Sequence, residues 1–234
     1  WLEFGTLGGY IAGAGTATAL NALLGEPAML AWGWRVPFLV AGPLGLLGLY
    51  MRLKLEETPA FQNYAGHRQD GEPSAPVATL REVFALHWRQ LLKCVGLVLV
   101  FNVTDYMLLT YMPSYLAVNL GYAQTTGLLL VLAVMLAMMP LTVLGGLLGD
   151  RLGRKRMIAG ACLALLALAL PCLRLIGGGS AAGAFGGLML LGMVLACFTS
   201  SMPATLPALF YTPVRYSALA IAFNVSVSLF GGMN

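Results

Sequence analysis

Seven stretches of this chain, at about 4–24, 34–54, 91–117, 124–148, 157–176, 184–210 and 216–234, each approach or exceed the length of mostly apolar sequence that crosses a bilayer as a helix, about 20 residues. They constrain everything else. Backbone N–H and C=O groups find no water in hydrocarbon, so a spanning segment must bond them internally, as a helix or in a closed barrel. Barrel strands alternate apolar and polar residues over about ten positions. The runs here are longer and uniformly apolar, so the expected fold is an all-α membrane bundle with about seven transmembrane helices. Composition agrees: 59% of the 234 residues are hydrophobic and only 9% are charged, where a soluble domain has roughly 45–50% and 25%. The net charge of +4 is small and reads as a loop bias, which argues against a nucleic-acid partner. The expected surroundings are the lipid bilayer.

The basic residues set the orientation, because Lys and Arg concentrate on cytoplasmic links. One side holds Arg52, Lys54, Arg68, Arg81, Arg89, Lys93, Arg151, Arg154, Lys155, Arg156 and Arg215, and the other holds only Arg35 and Arg174. This places the 55–90 segment and the 149–156 turn in the cytoplasm, with the first span entered from inside. Trp32 and Trp34 then mark the outer interface, and Tyr50 and Trp88 the inner one. Within the 55–90 loop, Thr79-Leu-Arg-Glu82 fits a capping box, and Leu80, Val83, Phe84, Trp88 and Leu91 follow at helical spacing. A short interfacial helix feeding the third span is expected there. Gly9 and Gly13 form a GxxxG pair, read as a place where helices approach closely. The sequence starts at Trp1 and stops at Asn234 inside an apolar run, and reads as a piece of a longer protein.

Few residues inside the spans carry chemistry. Asp105 lies near the middle of the third span, in Asn102-Val-Thr-Asp-Tyr106. An acid at that depth costs roughly 2.5–3.5 kcal/mol on insertion scales, so it should face the protein interior or a wet cavity. Asn102, Asp105, Tyr106 and Pro113 share one stripe of the helix. A polar stripe at mid-membrane suits a path for substrate and protons, and it equally suits a hydrogen bond between helices. Ser200 and Ser201 on the sixth span and Asn224 on the seventh could bind a solute or cement helices. Asn224 is the stronger site candidate of these, because a buried amide needs several partners. The four cysteines (Cys94, Cys162, Cys172 and Cys197) fall in apolar runs without metal-ligand spacing, and His67 and His87 have no convergent ligands. No catalytic triad or carboxylate pair is available, so neither an enzyme, a metal site nor a cofactor is expected.

The turn Gly146-Leu-Leu-Gly-Asp-Arg-Leu-Gly-Arg-Lys-Arg156 is denser in charge than an orientation signal requires. Its elements Gly146, Asp150, Arg151, Gly153, Arg154 and Lys155 resemble the conserved loop motif of the major facilitator superfamily. More of the chain agrees. Trp32-Gly-Trp-Arg-Val-Pro-Phe38, Leu55-Glu-Glu-Thr-Pro-Ala-Phe61, Tyr106-Met-Leu-Leu-Thr-Tyr-Met-Pro-Ser-Tyr115, Thr205-Leu-Pro-Ala-Leu-Phe210 and Arg215-Tyr-Ser-Ala-Leu219 look like the metabolite:proton symporter family, and within it like the proline/betaine transporters. The resemblance implies a partial major-facilitator-type bundle containing the fifth through eleventh of the family's twelve helices. Residues 1–54 would be the last two helices of the N-terminal half, 55–90 the cytoplasmic loop between halves, and 91–234 the C-terminal half short of its last helix. The implied activity is proton-coupled symport of a compatible solute such as proline or glycine betaine, in a multi-pass protein of the bacterial inner membrane, with the Asp150 turn as a cytoplasmic gating joint. An organic acid such as citrate, 2-oxoglutarate or shikimate is the alternative solute, and a non-transporting membrane sensor the alternative class. A dianion would want an Arg or Lys at mid-membrane. The deep parts of these spans hold none; Lys93 lies near an inner end.

Overall fold

The computed structural model describes residues 2–54, 80–210 and 212–228. Every regular element among them is helical: α1 (Leu2–Ala28), α2 (Arg35–Lys54), α3 (Leu80–Asp105), α4 (Met112–Val118), α5 (Gln124–Leu152), α6 (Arg154–Ile176), α7 (Ala181–Thr205) and α8 (Thr212–Ser226), with short π and 3-10 pieces between some of them. Five segments are long and apolar enough to cross a membrane: Met29–Lys54, Trp88–Val118, Gln124–Leu152, Arg154–Ile176 and Ala181–Thr205. The first expected span is present as α1 but falls outside this set, because Gly, Thr and Ala dilute its apolar residues. The last is present as α8 to Ser226, and the rest of its expected range, 229–234, lies outside the described residues.

The 55–79 segment, and with it the first residue of the expected capping box, also lies outside the described residues. Where a separate interfacial helix was expected, the backbone runs as one helix from Leu80 to Asp105. Between these ends the sequence offers good helix formers and no proline, so nothing breaks the hydrogen-bond ladder at the membrane surface. Three of the expected interfacial aromatics lie beside cations, Trp34 and Tyr50 near the ends of α2 and Trp88 two turns inside α3. Arg35 lies 4.5 Å over Trp34, Lys54 4.9 Å over Tyr50 and Arg89 5.5 Å over Trp88, which suits rings at headgroup level with charges reaching toward water.

Packing is closest among α5, α6 and α7, and glycines set the distances. A Cβ on Gly187 of α7 would stand 2.8 Å from the Cys172 carbonyl of α6, and one on Gly145 of α5 would stand 2.9 Å from Ser200 Oγ of α7. Small residues let backbones approach where lipid supplies no hydrophobic drive. One buried cluster joins Leu108, Met112 and Leu116 to Val134, Met138, Leu188 and Leu195. A second joins Cys94 and Val98 of α3 to Phe198 and Met202 of α7 and to Ala218 and Ala222 of α8. Cys94 and Cys172 are fully buried, Cys162 and Cys197 partly so, and all four are free thiols. α1 packs chiefly on α5, whereas α2 has no buried residue.

Candidate functional site

Pro113 organises the middle of the third span. Proline has no N–H and its ring clashes with the carbonyl four residues back. Just before it the helix widens into a π segment, Tyr106–Tyr111, and Met112 N–H bonds to the Met107 carbonyl five residues earlier. Such bulges recur at functional sites. Asp105 is the last α-helical residue before the widening and Tyr106 the first within it; both are half-buried. The sequence placed these residues and Pro113 on one stripe, but gave no sign that the helix changes its hydrogen bonding between them.

Opposite this segment stands α1, and two cavities follow the seam. One, of about 570 Å³, lies between Gly9, Tyr10 and Gly13 of α1 and Thr110, Pro113 and Ser114 of the third span. The other, of about 360 Å³, lies where Glu3 of α1 meets Thr142, Gly146 and Asp150 of α5 and Thr199 and Ser200 of α7. Asp105 and Tyr106 line neither cavity, although Thr110, Pro113 and Ser114 of the same span line the first. Glu3 and Tyr10 were not singled out from the sequence. The acid next to the N-terminal end of an apolar run was the available signal for Glu3, and the aromatic between Gly9 and Gly13 was that for Tyr10. Neither cavity is lined by Lys or Arg.

The remaining candidates divide by what their polar atoms do. Asn102 is buried, and its Nδ2 donates to Ser226 Oγ of α8 at 3.3 Å, so its amide ties α3 to α8. Asn224 is exposed and its Nδ2 donates to the Ala220 carbonyl of its own helix at 2.8 Å. Ser200 Oγ donates to the Cys197 carbonyl at 3.0 Å, and Ser200 lines the second cavity. Ser201 Oγ is buried beside Gly149 with no hydrogen-bond partner. Thus Ser200, Gly146 and Asp150, expected as parts of two separate sites, come together on one cavity with Glu3.

The charged turn is a single residue long. Gly153, at φ 91°, separates the end of α5 from the start of α6. That conformation is open to glycine and strained for any L side chain. Its carbonyl accepts from Arg156 and Met157 N–H at 3.0 and 3.2 Å, which starts α6 directly. Asp150 reaches across to Arg154 at 3.4 Å, with both side chains largely exposed. Arg151 and Lys155 are exposed as well. No group of three or more His, Cys, Asp or Glu able to hold a metal occurs among the described residues.

The described residues thus form a bundle of apolar helices with two cavities along the boundary between α1 and the helices packed against it. The chain belongs to the Major Facilitator Superfamily, which residues 5–233 match. It is 46% identical over 99% of its length to the proline/betaine transporter of Salmonella typhimurium, and equally so to that of Escherichia coli K12. It is 47% identical, again over 99% of its length, to the glycine betaine/proline/ectoine/pipecolic acid transporter OusA of Dickeya dadantii. The alignments cover 47% of each of these relatives, so the chain spans about half their length. No solved structure matches it.

Proposed function

We propose that the protein to which this chain belongs is a secondary active transporter that carries a compatible solute, such as proline or glycine betaine, together with a proton across the bacterial inner membrane. In this reading residues 1–54 close the N-terminal half, 55–90 form the cytoplasmic loop between halves, and 91–234 belong to the C-terminal half. The observation that carries the reading is the seam. Two cavities with no basic residue in their lining follow it, and the span that carries the half-buried Asp105 forms one wall of the first. A zwitterion or a cation is compatible with such walls, whereas a dianion would meet carboxylates and no counter-charge. Asp105 is the candidate proton carrier, with Tyr106 beside it; Ser200 and Ser201 line or back the cytoplasmic end, and Asn102 ties α3 to α8, which carries Asn224 on an exposed face. The turn from Gly146 through Asp150, Arg151, Gly153, Arg154 and Lys155 is the cytoplasmic gating joint, where the short α5–α6 link moves both helices as one.

The names of the similar transporters support this solute class. The test is uptake of labelled glycine betaine by the full-length protein, challenged in turn with excess proline, citrate and shikimate. Proline is expected to compete and the two acids are not. Competition by citrate or shikimate, with none by proline, would transfer the reading to organic acids.

A further inference from the structure

We infer that the π segment Tyr106–Tyr111 is a movable register joint in the third span, which turns Asp105 and Tyr106 between two facings while the helix on either side stays seated. This rests on the transport reading above and supplies it with an alternating element. The two halves of the span are held by different partners. On the N-terminal side, Cys94 and Val98 are fully buried in a cluster with Phe198, Met202, Ala218 and Ala222, and Asn102 bonds Ser226 at 3.3 Å. On the C-terminal side, Met112 and Leu116 are buried in a cluster with Val134 and Met138, and the Pro113 carbonyl would stand 3.0 Å from a Cβ on Gly127. The change of hydrogen bonding falls between these two seats, where the span passes from one buried cluster to the other.

A π turn closes on the residue five back where an α turn closes four back. The segment therefore stores one residue more than an α-helix joining the same two seats needs. Moving that surplus along the helix costs no net backbone hydrogen bond, because each step exchanges a bond to the fourth residue back for one to the fifth. Residues that the surplus passes turn by up to about 100°, the angle between neighbours on an α-helix, and the seats do not move. Pro113 has no N–H to take part and closes the path at one end; the Asn102–Ser226 bond closes it at the other. Asp105 and Tyr106 lie within that interval, at the edge of the segment. They line neither seam cavity in the present arrangement, so what they face is set by where the surplus residue lies.

The test deletes single residues from the full-length protein. Removing Met107 takes out the surplus and leaves both seats in register, so this variant is expected at wild-type abundance and thermal stability but without concentrative uptake of glycine betaine. Gly96 lies in regular α-helix between the buried Cys94 and Val98. Removing it turns one seat by about 100° and should prevent accumulation. A Met107 deletion that is lost as the Gly96 deletion is, or one that accumulates and transports as the wild type does, would overturn the joint. A second measurement follows labelling of single cysteines by a membrane-permeant maleimide, with and without glycine betaine, in a cysteine-free background that still transports. Thr104 is buried between exposed Val103 and half-buried Asp105, and Met107 is exposed between half-buried Tyr106 and buried Leu108. A turn toward either neighbour therefore raises labelling of Thr104→Cys and lowers that of Met107→Cys, with Val98→Cys and Leu116→Cys unchanged. Changes of the same sign at Thr104 and Met107, or none at either, would overturn the proposal. The abundance of the two deletions does not depend on solute, so it judges the joint separately; a wild-type protein that concentrates neither glycine betaine nor proline would remove the transport reading.

Discussion

The closest helix contact in the bundle predicts a measurable difference between two adjacent glycines. Gly186 and Gly187 lie in one turn of α7. A Cβ on Gly186 meets nothing within 4 Å, but one on Gly187 would stand 2.8 Å from the Cys172 carbonyl oxygen and 2.8 Å from Ile176 Cγ1. That oxygen belongs to the α6 backbone and cannot rotate away, so α6 must withdraw by 0.6 Å (3.4 − 2.8 Å) before ordinary contact is restored. Overpacking of this kind costs about 1–3 kcal/mol. The entropy gained by replacing glycine with alanine is the same at both positions and cancels in the comparison. The shift is about 2–4 °C per kcal/mol for 150–250 residues and falls inversely with length, so in a full-length protein about twice as long, like the relatives, Gly187→Ala should melt roughly 1–6 °C below Gly186→Ala. The assay is the fraction of full-length protein that remains monodisperse in detergent after heating, followed by fluorescence-detected size exclusion. Coincident melting curves would mean that α6 and α7 do not meet backbone to backbone at Gly187, and the account of how the bundle is held together would have to be withdrawn.

Three further outcomes follow from the site. Asp105→Asn should reduce proton-driven accumulation more than solute exchange, and unaltered concentrative uptake would dismiss Asp105 as the proton carrier. Asp150→Ala removes an exposed pair worth at most ~0.5 kcal/mol, so turnover should fall with no loss of thermal stability; turnover at the wild-type rate would leave the turn as an orientation signal. Ser226→Ala deprives Asn102 of its partner and should lower stability by roughly 0.6–1.7 kcal/mol with KM unchanged, whereas a large rise in KM at full stability would move Asn102 onto the solute path.

What could be read from the sequence was what depends on local chemistry and period. Apolar length gave the helices. An acid at mid-span pointed to Asp105 because insertion energy makes such residues rare. What could not be read depends on which helix lies opposite. Asn102 and Asn224 look alike in sequence, yet one bonds a hydroxyl on a helix 124 residues away and the other bonds its own backbone. Gly145 and Gly149 form the same i, i+4 pair as Gly9 and Gly13, but only the first pair has serines packed on it. Spacing identifies a flat helix face without telling whether another helix or open space lies against it. The change to π bonding before Pro113 was hidden for a related reason, since proline requires that the ladder be disturbed without fixing whether the helix kinks, breaks or widens.

The contrast between these glycine pairs bears on how the molecule could move. Within the α4–α7 group four glycines are filled at close range: Gly127 by the Pro113 carbonyl, Gly145 by the Ser200 side chain, Gly187 by the α6 backbone and Gly192 by Val134 and Met138. The backbone contacts at Gly127 and Gly187 do not rearrange by side-chain rotation, so α5 should travel with α4 and α7 with α6. On α1 a Cβ on Gly5, Gly9, Gly13 or Gly15 meets nothing within 4 Å, and one on Gly8 reaches only the terminal carbon of Met139 at 4.0 Å. What joins α1 to α5 is the buried Leu7 in a cluster with Met135 and Met138, with Met139 packed against it. Methionine repacks across an irregular surface at low cost. The α1 seam is therefore more compliant than the α4–α5 and α6–α7 contacts, and rocking of one group of helices against another requires a difference of that kind.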